Sequence, residues 1–163
     1  MQYLFFIAFF VSIVCNAQDL NTIRTQYPKA VESAEITNKI DAELLGVGAK
    51  SKPTLLAYKG AVSTLKAKFA KTKKEKKEYF KEGISLIESA LITDPSNIEI
   101  RYIRLTVQEN SPKFLGYHKN IVDDKEFILK NYANNSPNSL KSLIKDFIMG
   151  SDNFDESEKK SIQ

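Results

Sequence analysis

The chain has 163 residues, 42% of them hydrophobic and 27% charged, with 24 Lys+Arg against 20 Asp+Glu. This is one domain's length, and the composition is that of a folded globular chain, not a disordered, collagen-like or polytopic membrane one. A single cysteine excludes a disulfide framework and a cysteine-based zinc site, and a single histidine argues against His-dependent metal and catalytic centres.

The first element reads as an export signal. Residues 3–14 (YLFFIAFFVSIV) form an unbroken apolar run. A membrane-spanning helix needs roughly 20 apolar residues, so this run has the length of a signal-peptide core instead. Cys15-Asn16-Ala17 follows and places small residues three and one before the Ala17–Gln18 bond, as signal peptidase requires. Residues 1–17 are therefore expected to be a signal peptide and residues 18–163 a helical domain, periplasmic or secreted. The Ala-Gln pair at the cut resembles exported proteins of some Gram-negative bacteria. Two alternatives stay open. No Lys or Arg precedes the run, as a signal peptide would usually have, and no charge appears before Asp19, which would suit an uncleaved N-terminal anchor; and Cys15 is a candidate for lipidation, although bulky Val14 stands before it.

Downstream, apolar residues recur at helical spacing. Leu20, Ile23 and Tyr27 predict a short helix before Pro28, and residues 31–45 a weakly periodic one ending at Gly46. Leu55, Tyr58, Val62, Leu65 and Phe69 form a single stripe, with Pro53 in the first turn, where its missing N–H costs nothing. Phe80, Ile84, Ile87 and Leu91 form another, stopped at Asp94-Pro95 because the residue before a proline resists helical angles. A helix over about 97–108 has Ile100, Ile103 and Val107 on one side and ends at Ser111-Pro112. One over about 119–132 carries Ile121, Ile128 and Tyr132. Ser136-Pro137 opens the last, with Ser136 as N-cap, Leu140, Leu143, Ile144, Phe147 and Ile148 inside, and Gly150 as stop. No stretch alternates like a strand and no Asn-Gly or Asp-Gly turn occurs. The expected fold is all-α, built of antiparallel helical hairpins with five to seven helices.

One stretch carries a family resemblance. Gly83, Ile87, Ala90 and Pro95 fall at the spacing of the small, aromatic, alanine and proline positions of the tetratricopeptide repeat, and the Asp94-Pro95-Ser96-Asn97 turn matches as well. Thirty-four residues further on stand Tyr117, Asp124 and Leu129, which do not fit. The resemblance therefore covers a single repeat-like unit, not a long array. Gly60 would be the small residue of the preceding helix, separated from Gly83 by an insertion around a lysine run. The resemblance implies a helical-hairpin scaffold that binds a protein or peptide. On it, Glu99, Tyr102, Thr106 and Glu109 would be the partner-binding, groove-side positions, while Arg101 and Arg104 would fall at the packing side. The chain also resembles small exported all-helical proteins of unassigned function in the stretch from Glu109 to Leu115, which implies no activity.

Charge is the sharpest local feature. Residues 66–81 hold eight lysines and two glutamates, a net +6, whereas the whole chain is +4. The run spans the end of one predicted helix and the start of the next, so it should form one tip of a hairpin. One reading is a solvated helix end. The other is an anion-binding tip using Lys71, Lys73, Lys74, Lys76 and Lys77. The run holds no arginine, and no aromatic is interleaved among the lysines from 71 to 77, so neither bidentate phosphate recognition nor base stacking is indicated and no nucleic acid is expected. An anionic envelope component, lipid headgroup or phosphorylated sugar, fits better.

No catalytic motif appears, and no cofactor or metal is expected. Gly46-Val47-Gly48 with Ala49-Lys50-Ser51 lacks the spacing of a phosphate loop and reads as a helix–helix connection. Asp123, Asp124 and Glu126 suit the positive end of a helix dipole but lack calcium-loop spacing. His118 is expected to cap or to face solvent. The leading expectation is a non-enzymatic exported binding scaffold. A carboxylate-based hydrolase drawing on Asp124 and a distant glutamate is the least favoured. The export reading has a direct check: mass spectrometry of the exported protein should find a chain beginning at Gln18, and a lipid-modified Cys15 at the N-terminus would overturn it.

Overall fold

A computed structural model describes residues 20–134 and 136–163. The export segment, its Ala17–Gln18 bond and Cys15 lie outside the described residues. The described chain is all-helical, with no strand: α1 Leu20–Ala30, α2 Ala34–Glu43, α3 Pro53–Phe69, α4 Lys73–Thr93, α5 Ile98–Asn110, a 3-10 turn Lys113–Leu115, α6 Ile121–Asn131, α7 Asn138–Gly150 and α8 Glu156–Ser161. Among the described residues no helix is long and apolar enough to cross a membrane.

Eight α-helices replace the expected five to seven. The extra one, α8, is too short for periodicity to reveal. Asp155 starts it with a capping box to Glu158, and Phe154 and Ile162 on either side of it are buried. Two boundaries also differ. Pro28 does not end α1, because it sits in the last turn, where only the bond to the Arg24 carbonyl is forfeited; Thr37 Oγ1 then donates to the Ala30 carbonyl at 2.9 Å and holds the helix end. Ser136 is not the N-cap of α7. Pro137 holds that place with extended angles, and its carbonyl accepts from Leu140 and Lys141.

The start of α4 lies further upstream than its apolar stripe suggests. Thr72 Oγ1 accepts from the Glu75 N–H at 3.1 Å, while the Glu75 carboxylate accepts from the Thr72 N–H at 3.0 Å. This capping box satisfies two otherwise orphaned donors and lets the helix begin inside the lysine run.

Two helices form the centre. On α3 the expected stripe residues Leu55, Tyr58, Val62 and Leu65 are buried, but so are Leu56, Ala57, Gly60, Ala61, Ser63 and Ala67. The helix has neighbours on nearly every side, and a single stripe understates it. Its one charge between Leu55 and Leu65, Lys59, escapes the core by donating to the Val47 carbonyl at 2.6 Å. That contact also fixes the connection after α2, which is a plain helix–helix loop. On α5 the apolar Ile100, Ile103 and Val107 are buried together with Glu99, Tyr102, Arg104, Thr106 and Gln108.

Helices α3 and α4 cross with their backbones touching. A Cβ added to Gly60 would lie 2.5 Å from the Gly83 carbonyl oxygen and 2.8 Å from Ile87 Cγ1. One added to Gly83 would lie 2.5 Å from the Gly60 carbonyl oxygen and from Thr64 Cγ2. No side chain fits at either position. From this crossing each helix continues for nine or ten residues to the tip, about 14 Å at 1.5 Å per residue.

The glycine pair generates a stability test. Gly83→Ala should lower the unfolding free energy by about 1–3 kcal/mol through overpacking, despite alanine's better helix propensity. Gly150→Ala, where nothing lies within 4 Å of the added carbon, is the control and should not destabilise. Urea unfolding of the two variants measures both. Equal stability for Gly83→Ala and wild type would mean the helices do not meet as described.

Candidate functional site

The four groove-side candidates face the interior of the fold. The Glu99 carboxylate accepts two hydrogen bonds from Arg24 of α1, Nε to Oε1 and Nη2 to Oε2, both at 2.7 Å. It accepts a third from the Tyr58 hydroxyl of α3 at 2.9 Å. The Tyr102 ring packs edge-on against Phe147 of α7, with centroids 5.3 Å apart. Thr106 shares a 3.0 Å hydrogen bond with Tyr27 of α1, and Tyr27 in turn packs edge-on against Tyr58. Burial pushes the Tyr27 phenol up to about 12, and Tyr58 and Tyr102 rise too, first through burial and then through neighbouring Glu99 and tyrosines. Glu109 is half-buried, which raises its pKa, and it accepts from Ser151 Oγ at 2.7 Å. Helix α1 thus lies over the face of α3 and α5 that the repeat resemblance would offer to a peptide.

The other side of α5 buries a second set of charges. Asp124, the first acidic residue of α6 to face inward, is fully buried. Its oxygens accept from Arg104 at 2.7 Å twice, from Arg101 at 3.0 Å and from Gln108 Nε2 at 2.8 Å. Arg104 also reaches Glu88 of α4 at 3.0 Å, and Tyr117 donates to the same carboxylate at 2.6 Å. Arg104 is held protonated: hydrogen bonds and charge attraction from Asp124 and Glu88 outweigh burial, the largest single influence, which opposes them. Arg101 lies over the Phe127 ring. This explains why two arginines can sit on the packing side of α5. It also engages both oxygens of Asp124 in charge-assisted bonds, the opposite of what general acid–base chemistry needs. Asp123 and Glu126 point outward on the same helix. His118 Nε2 donates to the Ser111 carbonyl at 3.0 Å, a capping contact. Among the described residues no three His, Cys, Asp or Glu side chains are grouped to hold a metal ion.

Seven of the eight lysines of the run fall into two groups, and the eighth, Lys81, is exposed on α4 after Tyr79. Lys66 Nζ lies 2.7 Å from Asp41 of α2 and over the Tyr79 ring, and Lys68 Nζ lies 2.9 Å from Glu32. These two turn back onto the fold. Lys71, Lys73, Lys74, Lys76 and Lys77 are exposed, as is every residue from 71 to 78. Of the two local glutamates, Glu75 is engaged by Thr72, whose hydrogen bonds hold its carboxyl below the usual range. Glu78 stands 4.0 Å from Lys74, an exposed pair of little strength. The tip therefore presents five solvated ammonium groups on an α3–α4 overhang.

A polar cleft of about 460 Å³ opens at the opposite end, between the start of α1, the start of α5 and the α6–α7 connection. Arg24, Thr54, Asp94, Asn97, Asn131 and Asn134 are on its walls. Sequence reasoning missed this cleft, because its walls come from four separate segments. It also missed the counter-ions of α5. The signal for the second was present, since arginines at positions 101 and 104 on an inward face require a buried acid. Comparison with protein-family models, with curated proteins and with solved structures finds no match.

Asp124→Asn should cost about 3–5 kcal/mol of stability, because it takes the buried counter-charge from Arg101 and Arg104 and leaves Arg104 only the more exposed Glu88. Asp123→Asn, one residue away and exposed, should stay within about 0.5 kcal/mol of wild type. Thermal or urea unfolding distinguishes them, and equal effects would contradict the buried network.

Proposed function

We propose that this is an exported, non-enzymatic binding protein that engages an anionic component of the cell envelope through its α3–α4 lysine tip. The observation that carries this reading is the division of the lysine run. Lys66 and Lys68 serve the fold, whereas Lys71, Lys73, Lys74, Lys76 and Lys77 project beyond it without contributing to the core. A helix N-terminus is the wrong place for cations, since its dipole favours negative charge. Four lysines in the first turn and a half of α4 therefore work against the helix rather than for it. The saturated hydrogen bonding of Glu99 and Asp124 supports a binding role over carboxylate chemistry.

A second reading keeps the tetratricopeptide-like scaffold. It is favoured by the Gly60–Gly83 contact, which joins the two small-residue positions of the resemblance across one helical hairpin. On this reading a peptide partner would take the place of α1 beside Glu99, Tyr102 and Thr106.

The quadruple substitution of Lys73, Lys74, Lys76 and Lys77 by Gln separates the readings. It should leave folding intact, within about 0.5 kcal/mol per surface site. Binding of the wild type to an isolated envelope fraction should fall as salt rises past physiological strength, where the Debye length is about 8 Å. The variant should already bind at least about tenfold more weakly at low salt, given about 1 kcal/mol per lysine near an anionic surface. Equal, salt-insensitive binding by both proteins would end the tip reading, and recovery of the same protein partners by both would favour the scaffold reading.

A further inference from the structure

We propose that the anionic partner is a lipid bilayer, and that the lysine tip docks on it together with an apolar turn at the same end of the molecule, with Phe114 and Leu115 entering the headgroup interface. The proposal rests on the tip reading above and adds to it the partner and a second contact.

Phe114 is 87% exposed, the most exposed large apolar side chain among the described residues, and Leu115 beside it is 37% exposed. They are not on a slack loop. Residues 113–115 form a 3-10 turn, closed by Leu115 N–H to the Pro112 carbonyl at 2.9 Å and Gly116 N–H to the Lys113 carbonyl at 3.1 Å. Gly116 ends the turn at φ 70°, a left-handed conformation that glycine adopts without steric cost. The backbone thus holds a bare aromatic ring out in water, flanked by exposed Lys113 and followed by exposed Lys119.

The register of the helices places this turn beside the tip. Helix α5 runs back along α4, with Arg104 reaching Glu88. The turn follows the end of α5, and Tyr117, just after it, packs edge-on against Phe80 of α4. Lys76 and Lys77 stand four and three residues before Phe80, so they share its face of the helix. Apolar turn and basic tip are therefore neighbours. The acidic groups at this end are Glu75, committed to its cap, Glu78 beside Lys74, exposed Glu82, which accepts from Ser63, and exposed Asp123 and Glu126 on α6.

An anionic bilayer fits both features at once. Lysines are attracted by its negative surface potential within a Debye length, and a shallow aromatic and aliphatic pair gains by leaving water for the headgroup boundary. Stable anchoring takes two signals, because one alone gives only marginal, reversible binding. A protein partner would ask for a broader apolar patch than two side chains on one turn.

The chain contains no tryptophan, so Phe114→Trp introduces a single fluorophore at the turn. Ile92→Trp, at an exposed site near the other end of α4, lies about 28 Å along the helix from Lys73 and is the control. The full chain is mixed with vesicles of phosphatidylethanolamine and phosphatidylglycerol, or of phosphatidylcholine alone. The readout is local to each tryptophan, so the apolar residues 3–14 cannot imitate it. Trp emission at position 114 should shift to the blue and be quenched by brominated lipid on the anionic vesicles. It should be silent on phosphatidylcholine, and the shift should need at least tenfold more lipid once Lys73, Lys74, Lys76 and Lys77 are Gln. Emission at position 92 should not change. Salt-sensitive, lysine-dependent vesicle binding without a shift at position 114 would overturn the docking of the turn while leaving the basic tip as an anion site. Salt-insensitive binding with no effect of the lysine substitutions would overturn both. An equal shift at positions 92 and 114 would overturn the proposed orientation.

Discussion

A charge taken out of water must be met by an opposite charge and by hydrogen bonds, and α5 carries this requirement on two sides. Glu99 faces α1 and α3, where Arg24 and Tyr58 complete its acceptor set. Arg104 faces α6 and α4, where Asp124 and Glu88 complete its donors. Buried pairs of this kind contribute little net stability, because desolvation offsets most of the attraction. Their effect is on arrangement. If α1 or α6 docked one turn out of place, a buried carboxylate or guanidinium would be left unpaired at a cost of several kcal/mol. Apolar contacts tolerate such slips far better. The position of α1 over α3 and α5, and of α6 against α5, therefore follows from two ion pairs more than from the apolar residues around them.

The hairpin that forms the rest of the centre obeys a different rule. Where Gly60 meets Gly83, the α3 and α4 backbones are in contact, and van der Waals packing replaces side-chain interdigitation. That crossing lies well away from the tip. The helices beyond it are held by Ser63 donating to the Tyr79 carbonyl at 2.9 Å and by Lys66 over the Tyr79 ring. On the tip side of Tyr79 nothing of α4 is buried, and residues 73–78 are all exposed. A long hairpin anchored near its middle thus produces an overhang whose residues are free of packing constraints, and the exposed lysines are concentrated there.

Burial sorts the charged residues into two populations. Arg24, Glu99, Arg104 and Asp124 are set in the core and locked in pairs. The tip lysines are exposed to solvent and open to screening, so their energy depends on ionic strength and on what approaches them. The first population sets which structure forms. The second is available to act on something outside it. The apolar turn after α5 belongs with the second population, since Phe114 and Leu115 lie outside the core that claims nearly every other large apolar residue nearby.

Periodicity in the sequence was enough to determine an all-helical chain, and most helix limits followed from proline, glycine and capping residues. Those signals are local, arising from the 3.6-residue turn and from the hydrogen bonds that a helix end must find within a few residues. The lysine tip was legible for the same reason: a charge run at the end of one helix and the start of the next can only sit at their junction. Which faces of α3 and α5 are buried was not legible, because helices central to a fold have more than one buried face and no single stripe. Nor was the fate of Glu99, Tyr102, Thr106 and Glu109. On one helix they look like an open polar row, and only tertiary contacts cover it: Arg24 and Tyr27, about 75 residues earlier in the chain, meet Glu99 and Thr106, while Phe147 and Ser151, more than 40 residues later, meet Tyr102 and Glu109. Pairing between residues so far apart depends on how helices stack in three dimensions, and a one-dimensional pattern does not encode that stacking.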